Sequence, residues 1–221
     1  MIIDCISDLH GFFPELEGGD LLIIAGDMTA RGTAKEYMDF FAWFKWQDYR
    51  KKIFIGGNHD SFFQQCIPTS EAKMMGVHDD DHFDYLFDSG TEFEGLKIWG
   101  SPWSLWFKGV NPKCTAFMGS EDDLEKKFAL IPEDTDILIT HSPAYGILDG
   151  VTNFSYGKSY WCGSKSLWGH IKNRIKPKLH IFGHIHEMGG HMVDAVTTKF
   201  VNASYVNERY EPVNKPVRIE L

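Results

Sequence analysis

Strand-like and helix-like patterns alternate along this 221-residue chain, and the alternation predicts an α/β fold. Six short, nearly continuous apolar runs read as strands covered on both faces. Helix-period patterns lie between several of them. A third observation reaches beyond the fold: short segments bearing Asp, Asn and His come directly after five of the six runs.

The first strand is expected over Ile2 to Ile6 and the second over Leu21 to Ala25. Thr33 to Phe44 then reads as a helix, with Tyr37, Phe40, Phe41 and Phe44 on one face. Lys52 to Ile55 and Lys97 to Trp99 are the next strands. Ser120-Glu121-Asp122-Asp123 is a helix-start signal rich in early acids, so a helix is expected to Leu130. Strands Ile137 to Thr140 and Leu179 to Phe182 flank a helix over Ser164 to Ile175, whose apolar face is Leu167, Trp168, Ile171 and Ile175. Lys199 to Asn202 and Pro216 to Leu221 are short closing strands, expected to add a second sheet. No repeat, low-complexity block or linker divides the chain, so residues 1–221 read as one domain.

Composition narrows the function. The chain is 43% hydrophobic and 24% charged, with a formal net charge of -9. Long nucleic acid binds mainly through Lys and Arg on phosphates, which makes stable nucleic-acid binding unexpected here. No apolar run reaches transmembrane length, and Met1 to Ile6 reads as a strand rather than a leader. No membrane association and a cytoplasmic location are therefore expected. Cys5, Cys66, Cys114 and Cys162 contain no CxxC pair and are expected as reduced thiols. Asp79-Asp80-Asp81 reads as a solvated turn, because calcium loops need alternating ligands.

The strand-end segments carry the chemistry. Asp8 and His10, at i and i+2, can both reach one side of a turn, and both suit zinc, manganese or iron. Asp27 comes after Gly26; it is a candidate bridging carboxylate, although Gly-Asp in isolation is more often a turn or cap. Asn58 offers a neutral oxygen. The adjacent His59 can point elsewhere and serve as a general acid. His141, His184 and His186 end two further strands. A lone histidine there is usually structural, but two at i and i+2 plus a third are harder to dismiss. His78, His82, His170, His180 and His191 lack this setting and read as surface or structural.

Taken in order, Asp8-Leu9-His10, Gly26-Asp27, Gly57-Asn58-His59-Asp60, Thr140-His141 and Gly183-His184-Ile185-His186 resemble the calcineurin-like metallophosphoesterases. The pattern runs from residue 8 to residue 186. Ile98-Trp99-Gly100-Ser101-Pro102-Trp103, His141-Ser142-Pro143, Cys162-Gly163-Ser164 and Phe200-Val201-Asn202-Ala203-Ser204 narrow the resemblance to the small metallophosphoesterase-domain-containing branch. Some brain-type members lack a histidine of the last motif, whereas this chain has both. Met188-Gly189 is a departure, because a tyrosine is usual there.

The resemblance implies a four-layer α/β/β/α sandwich and two divalent ions: manganese, iron, zinc or nickel, with manganese favoured for activity. It implies Asp8, His10 and His186 on one ion, Asn58, His141 and His184 on the other, and Asp27 between them. Two such ions, roughly 3.5–4 Å apart, can share a water, deprotonate it and direct it at phosphorus. His59 is expected to protonate the leaving oxygen. Asn58, His59 and Arg31 are candidate contacts to the substrate, and Asp60 is either an orienter of His59 or a turn residue. Trp99, Trp103, Trp106 and Phe107, with Phe154, Tyr156, Tyr160 and Trp161, offer rings for stacking a base, at least half of them being expected in core or lid packing. The expected activity is hydrolysis of small phosphodiesters, cyclic nucleotides among them. The alternatives are a phosphomonoesterase or nuclease of the same fold, or a nucleotide- or metal-binding protein with negligible turnover.

Overall fold

A computed structural model describes residues 1–66, 83–107, 112–153 and 158–221. His78, His82, the acidic run at 79–81, Phe154 and Tyr156 fall outside the described residues. Two sheets dominate. The first contains β1 (Ile2–Ile6), β2 (Gly19–Ala25), β3 (Tyr49–Ile55) and β4 (Phe83–Tyr85), all parallel, with β15 (Val217–Glu220) antiparallel to β1. Its order is β15-β1-β2-β3-β4. The second has parallel β6 (Leu96–Ser101), β9 (Ile137–Thr140), β12 (Leu179–Phe182) and β14 (Lys199–Asn202). β5 (Ser89–Phe93) and β13 (Met192–Asp194) close its edges antiparallel, giving the order β13-β14-β12-β9-β6-β5. One expectation is corrected here. The closing strands do not form the second sheet together: β14 joins it, while β15 returns to the first sheet.

Residues alternate across each strand, so one strand feeds two cores. Ile3, Cys5, Leu21, Ile23, Ile53 and Ile55 meet Ile98, Ile137, Ile139, Leu179, Ile181 and Val201 between the sheets. Leu22, Ile24 and Phe54 face outward onto α1 (Ala34–Lys45) and α2 (Ser61–Cys66), through Tyr37, Phe40, Phe41, Phe44 and Phe63. Leu138, Phe182 and Phe200 face the other way, onto α3 (Glu121–Phe128) and α4 (Lys165–His170), through Leu124, Phe128 and Leu167. Three apolar seams therefore separate four layers, α/β/β/α.

The helix ends are set by local chemistry. Thr33 and Glu36 form a capping box at the start of α1, and Ser120 and Asp123 form one at the start of α3. The third expected helix differs in its last turn. After His170 the chain widens into a π-helical turn, Ile171–Ile175, in which the Lys176 N–H donates to the Ile171 carbonyl. There Arg174 Nη2 donates to the Phe128 carbonyl at 2.9 Å, covering the C-terminal end of α3. Short β7 (Ser104–Leu105) and β8 (Met118–Gly119) pair with each other, as do β10 (Gly150–Asn153) and β11 (Lys158–Trp161). Among the described residues no helix is long and apolar enough to cross a membrane.

Candidate metal centre

The carboxyl ends of β1, β2, β3, β9 and β12 converge, which is where open α/β sheets place ligands. Bonds between the sheets lock that edge. The Ser7 N–H donates to the Ala203 carbonyl at 2.8 Å, and His141 Nδ1 donates to the Ala25 carbonyl at 2.9 Å. The turns are held in unusual backbone conformations: Asp8, His10, Asp27 and His184 all have positive φ, between 43° and 69°. Such conformations in non-glycine residues cluster at functional sites. Glycines make the turns close enough. A Cβ on Gly57 would strike Asp27 Oδ1, and one on Gly183 would strike Asp8 Oδ2.

Two groups of donor atoms result. Asp8 Oδ1 lies 3.3 Å from His186 Nε2, which lies 3.3 Å from His10 Nε2. Asn58 Oδ1 lies 3.0 Å from His141 Nε2 and 2.8 Å from His184 Nδ1. Asp27 Oδ2 stands between the groups, 3.3 Å from His141 Nε2 and 3.9 Å from His10 Nε2. Three of the rings have their tautomer set from behind, with Nδ1 of His10, His141 and His186 donating to the carbonyls of Thr29, Ala25 and Asn207. Their Nε2 atoms, when unprotonated, therefore point lone pairs at one another and at acceptor oxygens. Acceptors this close need a proton or a cation among them, so the donor set fits metal ions.

Charge points the same way. Burial opposes ionisation of Asp27, yet the imidazoles of His141, His59 and His10 hold its carboxyl far below the usual range. Asp8 is likewise held low against burial, chiefly by His186. Burial pushes His10 down to about 4 and His184, also beside His141, down to about 3. His141 goes the other way. Burial opposes its protonation, but Asp27 overrides it and lifts the ring to about 9. Two ionised carboxylates beside the neutral rings of His10 and His184 draw positive charge inward, as the raised His141 already shows.

The remaining expected residues divide. His59 Nδ1 donates to the Ala30 carbonyl at 2.8 Å, leaving Nε2 4.0 Å from Asp27 Oδ2. Asp60 does not orient that ring. Its carboxylate accepts from Gly57 N at 2.9 Å, Thr29 N at 3.1 Å, Thr29 Oγ1 at 2.9 Å and Met28 N at 3.3 Å, tying the Asp27 turn to the Asn58 turn. Burial and then the Asp27 charge raise Asp60 to about 6. Arg31 is exposed and lies outside the lining of the cleft. That cleft, about 610 Å³, opens over Asp27, Asn58, His59, His184 and His186. Of the aromatic residues expected at the rim, Phe107, Tyr160 and Trp161 line it. Trp99 and Trp103 pack against the second sheet's outer core instead, and Trp106 is exposed.

The family model of the calcineurin-like phosphoesterases matches residues 1–188. The chain belongs to this family. Metallophosphoesterase domain-containing protein 1 of Homo sapiens is 36% identical over 239 residues, covering 98% of this chain and 70% of its own length. A UPF0046 protein of Caenorhabditis elegans is 31% identical over 230 residues, covering 98% and 79%. Among solved structures, the TT1561 protein of Thermus thermophilus superposes with a TM-score of 0.63 at 14% identity, over 93% of this chain and 89% of that one. The phosphopantetheinyl hydrolase of Mycobacterium tuberculosis gives 0.59 at 16% identity, over 94% and 90%. These two establish the fold alone. Family membership and the Asp/His groups make this calcineurin-like chain a phosphoester hydrolase of the metal-dependent class.

Several contributors to the centre carry no role that the sequence alone assigns. Ser204 Oγ donates to Asp8 Oδ2 at 2.7 Å, and Asn202 Nδ2 donates to the Ile185 carbonyl at 2.9 Å. Their signal is the Asn202-Ala203-Ser204 stretch, which marks the branch without a role. Asn207 and Tyr210 sit beside His186, beyond the matched residues 1–188, and no motif points to them.

Proposed function

We propose that this protein is a dimetal phosphodiesterase acting on small organic phosphodiesters, with cyclic nucleotides among the candidate substrates. The observation that carries the reading is the position of Asp27 Oδ2 between two groups of acceptor atoms. Asp8, His10 and His186 would hold one divalent ion, Asn58, His141 and His184 the other, with Asp27 shared. Manganese is favoured among manganese, iron, zinc and nickel. When bound, the ions supply an activated water and neutralise charge on the phosphoryl oxygens.

The chain's own groups complete the chemistry. His59 keeps Nδ1 on the Ala30 carbonyl, so Nε2 is the ring nitrogen left to exchange a proton with the cleft. From there it would protonate the departing alkoxide. The Asp27 Oδ1 atom accepts from the His59 backbone N–H at 2.8 Å and fixes the spacing of acid and carboxylate. Arg31 receives no phosphate contact in this scheme. A cleft of about 610 Å³ and a net charge of -9 favour a compact substrate over an extended polyanion. The pairing of β15 with β1 supports treating residues 1–221 as one domain.

The test is to strip the protein of metal and reload it with single metals. Each form is then assayed on a cyclic nucleotide, a nitrophenyl phosphodiester, a phosphomonoester and a single-stranded oligonucleotide. Two ions per chain and highest kcat/KM on small diesters are expected. One tight ion with Asp27→Ala fully active defeats the dimetal scheme. An oligonucleotide preference that collapses with salt replaces the reading with a nuclease.

A further inference from the structure

The turn at Asn207–Glu211 is built with unusual care for an exposed loop. The Asn207 side-chain oxygen accepts from the N–H groups of Arg209 and Glu211, both at 2.9 Å, and its Nδ2 donates to Glu211 Oε2 at 2.8 Å. The Asn207 N–H donates to the Glu211 carbonyl at 2.9 Å. The Asn207 carbonyl accepts from both Tyr210 N and His186 Nδ1, at 2.9 and 3.2 Å. These bonds hold Tyr210 at φ 60°, a conformation that aromatic residues rarely adopt. The result is a ring packed edgewise on His10 and His186, with centroids 4.9 and 5.1 Å away, and 6.1 Å from His59.

A ring that only wedged the histidines apart would be covered. Tyr210 is instead 41% exposed and lines the cleft with Tyr160 and Trp161. A strained backbone, an over-determined turn and an open aromatic surface beside the donor atoms together point to a ligand contact.

We propose that Tyr210 is a substrate-contacting, specificity-determining residue that receives a planar aryl or heteroaryl ester group on the phosphorus. The inference rests on the phosphoesterase reading above and deepens it. A group attached through one oxygen to a phosphorus held at the donor atoms would lie within reach of this ring. Stacking on one aromatic residue changes affinity by a factor on the order of ten. Small alkyl esters offer no π-face and gain little.

The test uses two non-hydrolysable probes, benzylphosphonate, whose CH2 replaces the ester oxygen of a phenyl phosphate, and methylphosphonate, titrated by calorimetry into the metal-loaded protein, with bound metal counted in parallel. Wild type should bind the benzyl probe about tenfold tighter than the methyl probe. Tyr210→Ala should bring the two affinities within about threefold while both ions remain, and Tyr210→Phe should keep the preference. Tyr210→Gly, which suits the positive φ, repeats the Ala test without backbone strain. An unchanged preference in the Ala and Gly variants overturns the proposal. So does an equal loss for both probes accompanied by loss of metal, which would leave the ring as a prop for His10 and His186. Wild type that turns over no phosphoester, yet discriminates between the phosphonates through Tyr210, overturns the functional reading alone.

Discussion

Replacing Asp60 with alanine should loosen the centre without touching a donor atom. Its carboxylate is fully buried and accepts four hydrogen bonds, from the N–H groups of Met28, Thr29 and Gly57 and from Thr29 Oγ1. Alanine leaves three backbone donors unpaired in a buried turn, each costing roughly 1–3 kcal/mol. Water entering the space left by the carboxylate moves the sum to the low end, about 3–5 kcal/mol. The Thr29 hydroxyl loses little, because the His59 carbonyl at 3.2 Å can still accept from it. With a urea m-value of about 2.5 kcal/mol/M, the unfolding midpoint should fall by roughly 1–2 M. The assay is urea unfolding of metal-free protein at pH 7.5, with metal stoichiometry measured on reloaded samples. Asp60→Asn should fall between wild type and alanine, since it keeps one acceptor and removes repulsion from Asp27. A loss under about 1 kcal/mol in the alanine variant, with full metal retention, would refute the account of Asp60 as the tie between the two turns.

Gly183→Ala should fold but bind metal poorly, because its Cβ collides with Asp8 Oδ2 and with Ser7 Oγ; metal counting checks this, and wild-type occupancy would show that the turn yields. His59→Ala should keep both ions and slow hydrolysis most for alkoxide leaving groups, less for nitrophenolate, which needs little protonation. Equal losses across leaving groups would remove it from the acid role. His180 is fully buried and pushed down to about 3 by burial, so the unfolded chain takes up its proton first as pH falls below about 6.5. Stability should therefore drop between about pH 6.5 and 3, and His180→Phe should lessen the loss from pH 7.5 to 5 by about 2 kcal/mol in urea melts of metal-free protein. The same acid loss in both proteins would place the sensitivity elsewhere.

The strands that position the donor atoms were legible because each is a buried apolar run, and the residues just beyond such a run must lie at a sheet edge. The face of α1 was equally plain, as Tyr37, Phe40, Phe41 and Phe44 are all buried. What the sequence hid depends on distance along the chain. Ser204 reaches Asp8 across 196 residues, and Tyr210 reaches His10 across 200, with no local pattern to mark either pairing. The return of β15 to β1 was hidden for the same reason: Val217 and Ile219 alternate like any edge strand and do not name a partner. Asp60 was ambiguous because its four bonds come from groups on two different turns, which sequence spacing does not reveal. Trp99 and Trp103 look like rim residues by their neighbours in sequence, but both rings pack, partly buried, against the outer core of the second sheet.

The two carboxylates of the centre each have one oxygen already committed. Asp8 Oδ2 accepts from the Ser204 hydroxyl and the His184 N–H, and Asp27 Oδ1 accepts from the His59 N–H. Neither can easily offer both oxygens to one ion. Calcium is satisfied by six to eight oxygens, often through chelating carboxylates at about 2.3–2.6 Å. If the centre holds metal as proposed, a cage of single oxygens and imidazole nitrogens would deny it that shell while suiting smaller ions that bind nitrogen well. The bonds that hold the turns in shape would thus also act as a sieve, discriminating by coordination number before affinity is considered.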